Sequence, residues 1–142
     1  MNNEAIEIGN SLQLPKYPLL GFTVPAGFPS PARDYIEDVL DLNELMVMHP
    51  AATYFVRAEG YSMQNANILP GDILVVDRSL EATDNKIVIA IIDGEMTVKR
   101  LRIRNNAIWL CPENDKLRPT KVEAWMDFSI WGVVTWVIHK SI

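Results

Sequence analysis

Only one of the 142 residues is a cysteine, Cys111. No intramolecular disulfide can therefore form, and a reducing cytoplasm is the expected setting. There are two histidines, His49 and His139, far apart in sequence, and neither has an Asp or Glu at a recognisable triad spacing. That scarcity argues against a histidine-activated nucleophile and, without clustered ligands, against a metal site; no cofactor is expected. Positive charge is also in deficit, with 13 Lys and Arg against 18 Asp and Glu, a formal net charge of −5. Tight binding to phosphates wants clustered cations, so direct sequence-specific binding of nucleic acid is not expected, and a role on DNA would run through protein partners. No apolar run approaches the ~20 residues of a membrane span. The first residues, Met1-Asn2-Asn3-Glu4, lack the positive start and apolar core of a signal peptide.

What is present suits one globular domain with an adequate core, since 49% of the residues are hydrophobic. Residues 1–33 stand apart, because they hold Pro15, Pro18, Pro25, Pro29 and Pro31, which exclude a long helix. Yet Leu19, Leu20, Phe22, Val24 and Phe28 make this segment too apolar for a solvated tail. It reads as an extended arm, either packed over the domain or offered to a groove. Residues 34–48 read as the one helical stretch, ended by His49-Pro50. Strands are expected over 53–58, 73–77, 86–92, 95–103, 107–111 and 128–138, with Asp93-Gly94 as a hairpin turn. The expected fold is mainly β, a folded-over antiparallel sheet or open barrel with an N-terminal arm and one short helix. In the last strand, period two puts Trp131 and Trp136 on opposite faces, so one of them is expected to face outward.

The stretch Glu59-Gly60-Tyr61-Ser62-Met63 follows a strand and ends in a serine placed to expose its hydroxyl. A serine needs a base to take its proton. With histidine excluded, the remaining choice is an unprotonated lysine, and Lys99 is the candidate. Under period two Lys99 shares a face with Thr97, Leu101 and Ile103, while Arg100, Arg102 and Arg104 line the other. Burial among apolar neighbours disfavours the ammonium and lowers its pKa. Periodicity alone equally allows Lys99 to snorkel past those neighbours without a role. Asp72, Asp77 and Asp93 read as turn formers, and Asn67 as a residue suited to left-handed backbone.

Gly60-x-Ser62-Met63, then Gly71-Asp72, then Asp93-Gly94-Glu95-x-Thr97-Val98-Lys99 resembles the LexA/UmuD family of self-cleaving serine peptidases. The upstream Ala26-Gly27-Phe28-Pro29-Ser30-Pro31-Ala32, with Asp41-Leu42-Asn43 to His49-Pro50, points to its SOS-mutagenesis branch. The resemblance implies a fold of the LexA C-terminal-domain type and a catalytic dyad at Ser62 and Lys99. It implies an oxyanion hole from the backbone of Ser62 and Met63, and a cleavage site at Ala26-Gly27. It divides the chain into an arm, 1–33, and a peptidase and dimerisation domain, 34–142. The partners it implies are a second copy of the chain, a RecA–single-stranded-DNA filament as activator, and a UmuC-type Y-family polymerase subunit. A repressor is excluded at this stage, because 26 proline-bearing residues ahead of the cut cannot build a helix-turn-helix domain. A self-cleaving subunit of a translesion polymerase and an uncut interaction subunit of such a complex both remain open.

Overall fold

The computed structural model describes residues 16–29, 31 and 36–142. Residues 1–15, Ser30 and 32–33 of the expected arm, and 34–35 at the start of the expected helix, lie outside them. The chain divides into two compact units, one reaching to Leu45 and one comprising Met46–Ile142.

In the first unit, β1 (Tyr17–Leu20) pairs antiparallel with β2 (Ile36–Leu40), Tyr17 lying opposite Leu40. The expected helix over 34–48 is thus corrected. Its first half is a strand, and the helix proper, α1, is only Leu42–Met46. Asp41 Oδ1 accepts the Asn43 N–H at 2.9 Å, which caps the amino end of α1. A strand this polar is held by its partner rather than by its own alternation, and the partner lies across a long connection that local periodicity does not register.

The second unit is built on a seven-stranded antiparallel sheet. Its strands are β3 (Thr53–Arg57), β4 (Ile73–Asp77), β5 (Ile87–Ile92), β6 (Glu95–Arg104), β7 (Ala107–Cys111), β8 (Thr120–Lys121) and β9 (Phe128–Ile138). Their order across the sheet is β3-β4-β9-β5-β6-β7-β8, which does not close into a barrel. Both turns around β6 are two-residue hairpins with positive φ at each turn residue: Asp93 and Gly94 before it, Asn105 and Asn106 after it. Such turns match the twist of the strands they join.

β4 and β5 are buried on both faces and so read as continuous apolar runs. From β5, Ile89 enters one cluster with Ala58, Met63, Ile68, Leu74 and Val76, while Val88 and Ala90 enter another with Leu101, Leu110 and Val133. β9 lies between β4 and β5, and it carries two register shifts, opposite Val75/Val76 and opposite Ile89/Ala90. Between them Gly132 passes β4 so closely that a Cβ there would lie 2.5 Å from Val76 Cγ1. That approach explains a glycine inside an otherwise bulky strand. Trp131 packs on the first cluster, tilted against Tyr54 at 5.6 Å and beneath the Arg78 guanidinium at 4.6 Å. Trp136, opposite Val75, is the exposed one of the pair. Among the described residues, no helix is long and apolar enough to cross a membrane.

Candidate active site

Ser62 is positioned by the loop that leaves β3. The loop is anchored at its start, where the Ala58 N–H donates to Asp72 O (2.8 Å) and the Gly71 N–H to Ala58 O (2.9 Å). Gly60 then turns the chain with φ +77°, and an added Cβ would meet nothing there, so the requirement is conformational rather than steric. After Ser62 a 3₁₀ turn, Gln64–Ala66, ends on Asn67 in left-handed geometry (φ 62°). The Asn67 N–H closes that turn on Gln64 O, so asparagine does serve at the position where the sequence called for left-handed backbone.

A second segment holds the serine from the other side. The Glu113 N–H donates to Ser62 O and the Asn65 N–H to Glu113 O, each at 2.8 Å, while Asn114 Nδ2 donates to Tyr61 O at 2.9 Å. Glu113 is itself held by Arg100 Nε at 2.5 Å. Arg100 is therefore not one more solvated arginine on β6. It neighbours Lys99 and ties the serine loop to the strand that carries the lysine. Nothing in the local sequence marks Glu113, Asn114 or Arg100 for this role, because their bonds join parts of the chain far apart in sequence.

Lys99 Nζ lies 3.2 Å from Ser62 Oγ, 2.6 Å from Thr97 Oγ1 and 3.2 Å from Val98 O. Three acceptors match the three donors of an ammonium. The same geometry serves the neutral amine, which donates twice, to Thr97 and Val98, and accepts the Ser62 O–H. Lys99 is half-buried; fully buried Val88 stands directly across from it on β5, and buried Leu101 is two residues on. Ile103, expected to share in this burial, is exposed. Burial holds the Lys99 pKa below the ordinary lysine value. Thr97, two residues away on the same face, was legible as a neighbour but not as the lysine's closest partner.

The backbone N–H groups of Ser62 and Met63 donate no hydrogen bond to any described group. Both residues line a cleft of about 380 Å³, together with Ala58, Ile68, Met96 and Val98. Ala26 and Gly27 are described and exposed, in a bend of the first unit, and a Cβ on Gly27 would meet nothing within 4 Å.

The two histidines, which have no carboxylate at a recognisable triad spacing, are each paired in space with an aspartate. His49 Nδ1 lies 2.5 Å from Asp77 Oδ2, and His139 Nδ1 lies 2.7 Å from Asp72 Oδ1. The aspartates flank β4 at its two ends and are both buried. The Asp72 carboxyl is held below its ordinary value by the Leu69 N–H and by His139, against the opposing effect of burial. At Asp77 burial pushes upward, but the Ser79 hydroxyl, His49 and the Ser79 N–H outweigh it. These pairs pin the ends of a core strand.

The sequence matches a family of known proteins. The Peptidase S24-like family matches residues 18–135. The chain is 47% identical to protein ImpA of Salmonella typhimurium over 125 residues, 87% of this chain and 84% of that one. It is also 47% identical to protein MucA of Escherichia coli over 113 residues, 79% of this chain and 77% of that one. With the LexA repressor of Aeromonas hydrophila it shares 35% identity over 125 residues, 87% of this chain but 59% of the repressor. An open antiparallel sheet, a serine loop with a half-buried lysine against it, and these matches lead to one statement: the chain belongs to the Peptidase S24-like family, as a member of the UmuD type.

Proposed function

We propose that this chain cuts itself once, between Ala26 and Gly27, using Ser62 as nucleophile and Lys99 as general base. Residues 1–33 are then the substrate arm and 34–142 the peptidase and dimerisation domain. The observation that carries the reading is the 3.2 Å separation of Lys99 Nζ from Ser62 Oγ, with burial lowering the lysine's pKa. Neutral Lys99 accepts the Ser62 proton as Oγ attacks the Ala26 carbonyl carbon. The N–H groups of Ser62 and Met63 donate to the oxyanion, each such donor being worth about 3–4 kcal/mol. Lys99, now an ammonium, returns its proton to the Gly27 nitrogen as the peptide bond breaks. Water, deprotonated by Lys99, then hydrolyses the ester joining Ser62 Oγ to the Ala26 carbonyl. The single methyl of Ala26 and the absence of a side chain at Gly27 permit close approach of the scissile bond to the serine.

The UmuD-type relatives support the biological setting. The shortened chain acts as a homodimer and a subunit of an error-prone translesion polymerase, beside a UmuC-type Y-family subunit, and a RecA–single-stranded-DNA filament stimulates the cut. Trp136, exposed on β9, is the proposed anchor of the dimer.

Intact-mass analysis of the purified chain, aged with and without that filament, tests the reading. Wild type should yield a fragment beginning at Gly27. Ser62→Ala should yield none while melting as wild type does. Lys99→Arg keeps charge and bulk but cannot deprotonate, and should also yield none. A Gly27 fragment from either variant at the wild-type rate would refute the assignment.

A further inference from the structure

The outer face of β6, β7 and β8 holds a second concavity, unconnected with Ser62. Opposed residues on paired antiparallel strands share a face. Arg102 on β6 lies opposite Trp109 on β7, and Trp109 lies opposite Lys121 on β8. One row across three strands therefore reads cation, indole, cation. The alternate row, Leu101 opposite Leu110, belongs to the core. The concavity is about 550 Å³ and includes Arg104, Asn105 and Pro119 beside that row.

In a chain of net charge −5 this is a local reversal of sign. Arg104 is held by Asp84 at 2.8 and 2.9 Å. Arg102 hydrogen-bonds the neutral Asn85 side chain and makes no direct ion pair, although its charge helps hold the Asp84 carboxyl low, and Lys121 has no carboxylate partner among the described residues. Among those residues no ring or guanidinium stacks on Trp109; the one such stack involves Trp131. Two cations without a direct carboxylate contact thus flank an unstacked indole at the spacing of neighbouring strands, ~5 Å.

We infer that this groove binds single-stranded nucleic acid without sequence preference, one base stacking on Trp109 and the adjoining phosphates meeting Arg102 and Lys121. Stacked bases with a cationic track are the general means of such binding. An acidic peptide is the competing polyanion. A peptide would gain most by extending the sheet at β8, but that edge is two residues long and follows Pro119, which has no N–H to offer. An indole face offers more to a base than to a carboxylate.

The test is fluorescence anisotropy of a labelled oligothymidylate of about 15 nucleotides, long enough for one such site, titrated with the full-length protein. At low salt a dissociation constant on the order of 10–100 μM is expected, in keeping with non-specific binding. Two phosphate contacts imply a weakening of roughly sevenfold between about 50 and about 200 mM salt, from a slope near −0.7 per contact. The double variant Arg102→Gln/Lys121→Gln should bind at least about tenfold more weakly, with unchanged thermal melting and unchanged self-cleavage. Trp109→Phe, which keeps an aromatic ring, should bind better than Trp109→Leu. No binding by wild type, or wild-type binding by the double variant, would overturn the inference. Equal displacement of the oligonucleotide by polyglutamate at matched charge would overturn it in favour of an acidic peptide.

Discussion

Thr97 offers a sharp test, because replacing it should move a pH profile in a direction that simple damage would not. Its Oγ1 accepts a hydrogen bond from Lys99 Nζ at 2.6 Å, the shortest contact the lysine makes. Hydrogen bonds to charged groups contribute about 1.5–3 kcal/mol and neutral ones about 0.5–1.5. Thr97 therefore favours the ammonium over the amine by the difference, and because Lys99 is only half-buried the low end applies, about 1 kcal/mol. At 1.36 kcal/mol per pKa unit, Thr97→Val should lower the Lys99 pKa by about 0.7 unit. Valine keeps the β-branched shape and strand preference, so β6 should be preserved. Self-cleavage, followed by intact mass between about pH 7 and about pH 11 to bracket the lysine range, should rise with pH through the lysine's lowered pKa in both proteins. The variant's midpoint should sit about 0.7 unit lower. Its plateau should also fall, because the amine loses an orienting partner. A structural role alone would lower the plateau and leave the midpoint in place. A midpoint that stays put or rises would refute the role of Thr97 in setting the lysine's pKa, and a rate that does not rise with pH in either protein would refute the lysine's role as base.

Two further predictions concern the frame around the site. Gly132→Ala should destabilise the domain by about 1–3 kcal/mol, as overpacking does in a close-packed core, because the new methyl meets Val76 Cγ1 and Val76 is fully buried. Denaturant melts should show part of the loss recovered when Val76→Ala is added; strictly additive losses would refute the contact. The Asp72 and Asp77 carboxyls, both held low in the fold, stabilise it above the unfolded value near pH ~3.9, and that stability should drain away as pH falls through their lower folded values. Asp77→Asn should therefore start less stable at neutral pH by about 1–3 kcal/mol and show a shallower acid decline in melting temperature, whereas an unchanged decline would refute the linkage.

How far the fold was legible varied with the physics of each segment. β4, β7 and β9 have the same bounds in the sequence reading and in the structure, since each is an apolar run closed by polar or turn-forming residues. Asp93-Gly94 is legible as a turn, whereas Asn105-Asn106 lacks the glycine that marks one, although asparagine tolerates the same left-handed geometry. β1 and β2 were hidden because their state depends on each other. The two-residue β8 has too little sequence to show a period. At the candidate site, Ser62 and Lys99 were readable as chemical types, while the parts that hold them were not. Arg100 looked like surface charge until Glu113 was seen beside it, and the histidines looked solitary because Asp77 and Asp72 lie 28 and 67 residues away.

The link from Arg100 through Glu113 to the Ser62 carbonyl has a kinetic consequence. Serine loop and lysine strand are spaced by bonds internal to one unit, so their separation is set whether or not an arm is in place. On the proposed reading, the observed first-order rate is then the fraction of molecules with Ala26-Gly27 seated, multiplied by a constant that belongs to the seated state. A stimulator that acts by seating can accelerate the reaction at most by the reciprocal of that fraction. Once every arm is seated the rate stops rising, however much stimulator is added, and that ceiling measures the intrinsic speed of the serine and lysine.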